Sequence, residues 1–562
     1  MLRDPIWVYN DWSAYDELSD RIPLTEELAL RELKEIARLR DLGVHFDYFM
    51  MDAFWFAPDG AYREWRKPSW PNGPDRWIAE CRRQGLLPGM WFGGNGLVKI
   101  EPAPKWKDSL NDKQTAMSFS EGGFLPDLME TLQYWYDHGI RMFEFDFADF
   151  SVATPETAKS AKPEEIRSRN ESAFRAALKG FRAKNPDVVL EAFNGFGGDL
   201  DSTASPFPFR NPIDLRWLEV FDALYAGDPR ASDVPEMNFW RSADIYSDHM
   251  TRRFEQSSIP LERIDTTAFM IGNTGTNYYR KTNAWQGSLL LTAARGGWIN
   301  TIHGNLEFLN DSQGRWFAKC QSIYAPLQAK GRTKTFGGVP GDVQPYGYAA
   351  LDAQGVVYTV VNPAQQIHDV ELPVTSRLQS PHDDGRILFR DAGFEPVLHS
   401  STITLGPGQL AVVGYGAYAS ANWDLGTQDD VRIPNAIREL PAEFEPREQN
   451  VIEATVVVPA HGDLRIVFQQ RDRDGNIQRS WPGGPPDGTP VDRVLVIHAD
   501  ANGKELPIAI NYDKIIWSGL SWAAGEIRHH DLNPGDRVTI RCSSTEKNPM
   551  VLDGRVYAVD YQ

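Results

Sequence analysis

The sequence has few cysteines, no long apolar run and a deficit of basic residues. Its three cysteines, Cys81, Cys320 and Cys542, lie far apart and match no zinc or redox spacing. No stretch reaches the length of a membrane-spanning helix. Across 562 residues, 58 Lys and Arg stand against 77 Asp and Glu, a formal net charge of −19. An acidic chain repels phosphate backbones and anionic membranes, so neither nucleic acid nor a membrane is a predicted partner.

Aromatic residues, by contrast, are plentiful. The chain has 18 Trp, 19 Tyr and 28 Phe, which together make up 12% of its residues. Most of them would fill a large core, but some could stack on the flat apolar faces of sugars. A carbohydrate is therefore one candidate partner, with no cofactor predicted, and the composition does not indicate an oligomeric state.

The first 325 or so residues alternate strand-like and helix-like patterns. Residues 5–12 have a strand pattern, 25–43 have a helical pattern with Thr25 as N-cap, and 45–56 have the next strand pattern. About eight such strands follow one another. This rhythm predicts an α/β fold, a (β/α)8 TIM barrel, rather than a short doubly wound sheet. Two segments compete for the sixth strand, 221–227 and 237–244.

Helical periodicity stops near residue 330, and Gly and Pro turns then separate short strand-like segments. We therefore predict a catalytic barrel over residues 1–328, a small antiparallel β-sandwich over 329–418 and a C-terminal β-sandwich over 419–562. No solenoid or propeller repeat is evident.

Active sites of such barrels lie at the C-terminal ends of the strands. In chain order, the polar and aromatic residues predicted at those ends are Asn10, Asp11, Trp12, Asp52, Trp91, Asn95, Glu144, Asp146, Asp149, Glu191, Asn194, Asp228 or Arg241 with Asp244, Asn273, His303 and Asn305. With one histidine in the set, a hydrolytic metal site is not predicted. Carboxylates with amides and indoles are typical of sugar chemistry. A single acid at a strand end is also common as a helix cap or an ion-pair partner.

The segment RMFEFDFADF, residues 141–150, is the most informative of these ends. Apolar residues flank its acids on both sides, as expected of a buried strand. In a regular strand Glu144 and Asp146 share one face, which predicts that both point into the barrel. A buried carboxyl without a task is costly, so this pair indicates function.

Several motifs then carry a resemblance to a known clan. In order, VYNDWSAYD, YFMMDAFW, FEFDFAD, EAFNGFGG, NFWRSADIYSD and GGWINTIHGNLEFL resemble motifs of the retaining α-glycosidases that include the family-27 and family-36 α-galactosidases. The resemblance covers roughly residues 5–415. It implies Asp146 as the nucleophile on strand four, and Asp244 as the general acid/base on strand six with Arg241 beside the sugar. The predicted substrate-binding residues are Trp12, Asp52, Trp91, Glu144, Glu191, Asn194 and Arg241.

Two positions depart from the clan's pattern. The paired acids after strand two are Asp52 and Ala53 here, and the Lys two residues before the nucleophile is Glu144. A carboxyl cannot hold the same hydroxyl pattern as an ammonium group. The resemblance therefore implies a retaining exo-acting α-glycosidase, α-galactosidase-like, on a plant or microbial polysaccharide, with its sugar unidentified.

Alternatives remain at this stage. Asp228, in YAGDPR, is the rival general acid, and Trp12 and Trp91 are either stacking walls or ordinary core. The whole chain is alternatively a carbohydrate-binding protein on a decayed barrel, or a transglycosylase or isomerase. We expect a secreted or periplasmic protein whose leader has been removed, with a cytoplasmic location still open.

The C-terminal sandwich offers weaker hints. Asp472, Asp474 and Asn476 resemble a calcium loop, but no Glu follows at the required spacing, which favours a solvated turn. A carbohydrate-binding role for residues 419–562, which include Trp517 and Trp522, is a further expectation.

Overall fold

A computed structural model describes residues 4–16, 21–193, 213–227, 231–266, 269–274, 280–328, 333–373, 385–477, 495–510 and 521–561. Asn194, Asp228 and Trp517, singled out above, lie outside these ranges. Contacts divide the chain into two compact units. Unit 1 comprises Met1–Gly227, Arg253–Asn277 and Gly297–Ala318, and unit 2 comprises Asp228–Arg252, Tyr278–Gly296 and Lys319–Gln562.

Unit 1 contains one parallel sheet. Its described strands are β1 Ile6–Asn10, β2 Tyr48–Met51, β3 Leu87–Gly93, β4 Met142–Asp146, β5 Val189–Phe193, β6 Ala223–Tyr225, β7 Ile264–Asp265, β8 Met270–Ile271 and β9 Ile299–Gly304. They are ordered β7-β6-β5-β4-β3-β2-β1-β9-β8. The interior is packed by Val8, Tyr48, Met50, Met142, Val189, Ala223 and Ile299.

The two edge strands of this sheet, β7 and β8, are close neighbours in the sequence. β7 pairs with β6 at one edge, and β8 pairs with β9 at the other. Because β7 and β8 both lie within residues 264–271, the sheet closes on itself. The result is the predicted barrel of eight passages.

Helices follow the strands in alternation. The described α-helices are α1 Glu26–Asp41, α2 Asp75–Arg83, α3 Phe124–His138, α4 Thr157–Ser160, α5 Pro163–Lys184, α6 Phe239–Gln256, α7 Trp285–Ala294 and α8 Asp311–Gln328. Local chemistry sets their ends. The Thr25 hydroxyl accepts a hydrogen bond from the Leu28 N–H and so caps α1, as predicted. Gly139 ends α3 in the left-handed conformation, with φ of 108°.

The sixth strand settles the choice between two segments. The strand is Ala223–Tyr225, and residues 237–244 run instead into helix α6. The placement of Asp244 at the end of a barrel strand is therefore wrong. Buried apolar residues recur at helical spacing along this segment, namely Phe239, Ala243, Tyr246, Met250 and Phe254.

Unit 2 includes two β-sandwiches. The first has strands β10 Thr333–Gly337, β11 Tyr346–Leu351, β12 Gly355–Val361, β13 His368–Glu371, β14 Arg386–Gly393, β15 Val397–His399, β16 Thr402–Leu405, β17 Leu410–Gly416 and β18 Gly426–Ile433. A six-stranded sheet, β10-β11-β12-β17-β14-β18, packs against a three-stranded sheet, β13-β16-β15. β18 lies beyond residue 418, the predicted end of the first sandwich, yet it pairs with β14. The first sandwich therefore includes residues 426–433.

The second sandwich is formed by two five-stranded sheets. Its strands are β19 Ala436–Leu440, β20 Glu445–Glu448, β21 Val451–Val457, β22 Asp463–Arg471, β23 Leu495–Ala501, β24 Lys504–Glu505, β25 Ala509–Ile510, β26 Trp522–Ile527, β27 Arg537–Ser544 and β28 Val551–Asp560. The sheet orders are β19-β28-β22-β26-β25 and β20-β21-β27-β23-β24. The core between them also takes in Ala231 and Phe239, from the segment that follows β6.

None of the described helices combines the length and the apolar content that crossing a bilayer requires.

We predict that Trp522 ties the second sandwich to the segment after β6. Its indole is fully buried, and Nε1 donates to the Ser232 carbonyl at 2.8 Å. Trp522→Phe should lower the free energy of unfolding by about 1–3 kcal/mol, because Ser232 loses a buried donor. Trp522→Ala should cost about 3–5 kcal/mol. Urea denaturation followed by circular dichroism measures both.

Val551→Ala is the matched control, since Val551 lies in the same sandwich and is 51% exposed. It should change the free energy of unfolding by less than about 0.5 kcal/mol. If the Trp522→Phe protein is as stable as this control, the hydrogen bond from Trp522 to Ser232 does not stabilise the fold.

Candidate active site

Three of the predicted residues form a row inside the barrel. In the parallel ladder Glu144 on β4 lies beside Trp91 on β3 and beside Glu191 on β5. Met142 and Val189, two positions earlier on β4 and β5, belong to the interior cluster. Since side chains alternate along a strand, Glu144 and Glu191 share that inward face. The sequence-based expectation that Glu144 points inward fits this register.

Asp146 lies one row further towards the C-terminal ends of the strands. It is the last residue of β4, is half-buried, and pairs in register with Gly93. The Phe147 N–H donates to its Oδ1 at 2.6 Å, which fixes the orientation of the carboxyl group. A carboxylate at this end of a barrel strand is placed where barrel enzymes carry out their chemistry.

The backbone around Asp146 is held tightly by its neighbours. A Cβ on Gly94 would come within 2.9 Å of the Asp146 carbonyl oxygen and 2.8 Å of Ala148 Cβ. Only glycine therefore allows the residue that follows β3 to approach the end of β4 this closely. Phe147 has a φ of 47°, a conformation that non-glycine residues rarely adopt. The local strain fits a position under functional constraint.

Two asparagines fix the loops that follow β3 and β4. The Asn95 side chain donates to the carbonyls of Met117 and Asp149 and accepts from the Asp149 N–H. Asn170, fully buried on α5, donates to the carbonyls of Phe150 and Val152. Asn95 therefore positions the loop that follows β4. The sequence did not point to Asn170, because a single amide within a helical pattern gives no signal of such a role.

Glu191 belongs to a buried carboxyl pair. Burial raises its pKa well above the usual range, and the adjacent Asp265 carboxyl raises it further. Its Oε1 has no hydrogen-bond partner in the described part of the chain. Asp265, at the end of β7, accepts a hydrogen bond from the Thr301 hydroxyl on β9. Retention of a proton on Glu191 relieves the repulsion between the two buried carboxyl groups.

The residues after β1 and β2 form a second polar group. Asp52 accepts from Asn10 Nδ2 at 2.6 Å and from the Ala53 N–H at 2.6 Å. The Asp52 N–H in turn donates to Asp11. Asp11 is fully buried, and burial raises its pKa well above the usual range. These bonds fix the orientation of Asp52 before any ligand arrives.

The two candidate stacking residues differ. Trp12 is half-buried and makes an edge contact with Tyr15 at 6.3 Å between ring centroids. Trp91 is only 2% exposed, with its ring centroid 5.7 Å from Phe54 and 5.8 Å from Phe147. The structure therefore places Trp91 in an aromatic core beside Glu144, not on an open stacking surface.

His303, the histidine of the predicted set, is buried on β9. Burial lowers its pKa to about 3, so the imidazole is neutral at ordinary pH. No group of three His, Cys, Asp or Glu side chains in the described ranges is arranged to hold a metal ion. The calcium-like segment forms a turn, in which Asp472 accepts from the N–H groups of Asp474 and Asn476.

Asp244 and Arg241 occupy a different environment from the predicted one. Both lie on α6 in unit 2, and their side chains are almost fully buried. Asp244 accepts from Arg241 Nη1 at 2.9 Å and from the Ser288 hydroxyl at 2.9 Å. Burial raises its pKa, and the charges of Arg241 and Arg280 oppose that change.

Arg241 connects this ion pair to the first sandwich. Its Nη2 donates to Asp391 at 2.8 Å and its Nε donates to the Gly408 carbonyl at 3.1 Å. The prediction that Arg241 lies beside the sugar gains no support from these contacts. Its guanidinium is 1% exposed and bonds to protein acceptors. This network holds α6 to β14 and to the turn before β17.

Comparison with known proteins gives a fold but no sequence family. No protein-family model and no curated protein sequence matches the chain. The galactosidase domain of α-galactosidase-sucrose kinase AgaSK matches with a TM-score of 0.50 at 13% identity. The match covers 74% of this chain and 55% of that one. The chain thus spans about half of that structure's length.

Two further structures match less well. A GH36 α-galactosidase AgaA variant from Geobacillus stearothermophilus, in complex with raffinose, has 12% identity, coverages of 73% and 56%, and a TM-score of 0.48. A putative α-galactosidase from Bacteroides fragilis has 14% identity, coverages of 74% and 80%, and a TM-score of 0.47. The chain has the barrel and β-sandwich fold seen in the AgaSK galactosidase domain, as the resemblance in sequence motifs predicted.

We predict that Glu191 makes stability depend on pH. A raised carboxyl pKa means that the folded chain binds more protons than the unfolded chain above about pH 4.3. The free energy of unfolding therefore falls as pH rises from that value through the raised pKa. Glu191→Gln cannot ionise, so its stability relative to the native chain should rise with pH. The gain should be about 1.4 kcal/mol for each unit of pKa elevation.

Urea denaturation at pH 4.5, 6.0 and 7.5 provides the measurement. Glu130→Gln is the control, because the Glu130 side chain is 75% exposed on α3. Parallel pH profiles for Glu191→Gln and the native chain would show that Glu191 holds no extra proton.

Proposed function

We propose that the chain is a retaining α-glycosidase whose nucleophile is Asp146. The observation that carries this proposal is the position of Asp146 at the C-terminal end of β4, half-buried, with Oδ1 held by the Phe147 N–H. The α-galactosidase-like fold supports it. The finer proposal is an exo-acting, secreted or periplasmic enzyme on an α-glycoside of a plant or microbial polysaccharide.

The mechanism follows from the roles of two carboxyl groups. The ionised Asp146 attacks the anomeric carbon while a general acid gives its proton to the departing glycosidic oxygen. A covalent glycosyl-Asp146 ester results. The deprotonated acid then takes a proton from water, whose oxygen attacks the same carbon and releases Asp146. Two displacements restore the original anomeric configuration.

The inward row supplies contacts to the sugar. Glu144 lies two residues before Asp146 on β4, and Glu191 lies beside Glu144 on β5. Asp52 is held in a fixed orientation by Asn10. Carboxylates accept hydrogen bonds from sugar hydroxyls, and a protonated carboxyl also donates one. Glu144 in place of a lysine turns a donor position into an acceptor. This change favours a sugar other than the one that an α-galactosidase recognises.

For the general acid/base we favour Asp228 over Asp244. Asp228 follows Tyr225, the last residue of β6, by three positions in the sequence. Catalytic groups of barrel enzymes come from such positions. Asp244 is fully buried, and both of its oxygens accept hydrogen bonds from protein groups. In this proposal Asp244 supports the fold.

Replacing the nucleophile tests the proposal directly. Asp146→Asn should reduce kcat on the responsive aryl α-glycoside by at least about 10⁴-fold, because an amide cannot form the glycosyl ester. The assay uses a panel of aryl α- and β-glycosides, with reaction stereochemistry followed by NMR. Asp149→Asn, three residues later in the loop that follows β4, is the matched control and should keep most of the activity.

If no glycoside in a broad panel is turned over, while sugars still bind, the chain is a carbohydrate-binding protein on a decayed barrel. A product with a new glycosidic bond in place of a free sugar would indicate a transglycosylase or isomerase.

A second pair of variants separates the two candidate acids. Asp228→Asn should lower kcat strongly on an alkyl glycoside but only weakly on a dinitrophenyl glycoside, whose leaving group needs no proton. Asp244→Asn should instead lower the free energy of unfolding by about 3–5 kcal/mol, because Arg241 loses a buried partner. If Asp244→Asn is instead as stable as the native chain and loses kcat mainly on the alkyl glycoside, Asp244 is the general acid/base.

A further inference from the structure

A cleft in unit 2 has the features of a built binding site. Its volume is about 400 Å³, and residues 236–240, the first sandwich and the second sandwich all contribute to its wall. Small-ligand pockets typically measure about 300–1,000 Å³. The rim includes exposed side chains such as Asn283, Arg432 and Arg528. The cleft therefore leads from solvent to a buried floor.

The floor carries charged groups that are 3% exposed, namely Glu236, Arg465 and Glu526. Arg465 Nη2 donates to the Tyr561 hydroxyl at 3.1 Å, and that hydroxyl donates to Glu526 at 2.8 Å. Arg465 Nε has no hydrogen-bond partner among the described residues, although it is buried. An orphaned buried donor is costly, and a ligand acceptor would satisfy it.

The cleft contains charged side chains of both signs. Its wall contains three arginines, Arg432, Arg465 and Arg528, and three acids, Glu236, Asp430 and Glu526. Burial raises the pKa of Glu236, which favours its neutral form, so neither sign of charge dominates the wall strongly enough to select a phosphate or an amine. Such a wall offers donors and acceptors close together, which is the pattern that a neutral polyhydroxyl compound requires.

Two aromatic rings complete the wall. Trp240 and Tyr561 both line the cleft and are half-buried. The Arg280 guanidinium lies 5.1 Å from the Trp240 ring centroid, and Arg432 lies 5.2 Å from that of Tyr561. Each guanidinium restrains its ring and covers part of one ring face. The rest of each ring lines the cleft and offers apolar surface to the C–H face of a sugar.

From these features we propose that this cleft binds a neutral oligosaccharide segment of one or two sugar units. The sugar hydroxyls would accept from Arg465 Nε and donate to Glu236, with Trp240 and Tyr561 against the ring faces. This site is built from residues other than those of the barrel interior, and it does not depend on turnover.

Two substitutions that fill the cleft from different walls test the proposal. Ile510→Trp and Asn283→Trp each add an indole at a position that is not fully buried. The full chain carries Asp146→Asn throughout, so that no probe is consumed. Maltotriose, cellotriose and raffinose are titrated separately by calorimetry. At least one should bind, and each filling variant should weaken that affinity tenfold or more.

Val457→Trp is the matched control, since Val457 is 56% exposed on β21 of the same sandwich and lies outside the cleft. It should bind as the parent does. The proposal is overturned if no neutral probe binds, if both filling variants bind like the parent, or if glucuronic acid or glucosamine binds more tightly than every neutral probe. The titration measures binding and needs no turnover. It therefore tests the cleft even if the chain proves not to be a glycosidase.

Discussion

The barrel interior holds carboxyl groups side by side, and the cost of ionising them in one low-dielectric space constrains everything around them. Glu144 and Glu191 are neighbours in the ladder, and Glu191 also faces Asp265. Repulsion and burial together favour retention of a proton on Glu191. A carboxyl that keeps its proton can donate as well as accept. The constraint thus gives the site mixed hydrogen-bonding capacity, which suits hydroxyl groups on a sugar.

Local sequence pattern was sufficient for the barrel and for its fourth strand. Strand alternation placed Glu144 on the inner face, and the strand's length placed Asp146 at its C-terminal end, as the register shows. Both conclusions need only neighbouring residues, because the period of a strand is a local property. The Thr25 cap of α1 was predictable for the same reason.

The α6 segment shows where that reasoning stops. A short motif suggested a strand end, but helical spacing of buried residues governs the segment from Phe239 onward. The partner that fixes Arg241, Asp391, lies 150 positions away along the chain. No local pattern encodes such a pairing, so the sequence could not distinguish a sugar-binding arginine from a buried structural one. Likewise, β18 pairs with β14 across a predicted boundary through contacts that only tertiary structure reveals.

The second sandwich is more than an appended module, because the segment after β6 is part of its core. Ala231 and Phe239 pack there, and Trp522 holds the Ser232 carbonyl. The same segment continues to Trp240 in the wall of the cleft. A ligand that binds the folded cleft stabilises every element that forms it, by mass action. Ligand binding in the cleft should therefore stabilise the packing of residues 231–240 against the second sandwich. By the same linkage, tighter packing of this segment should strengthen ligand binding.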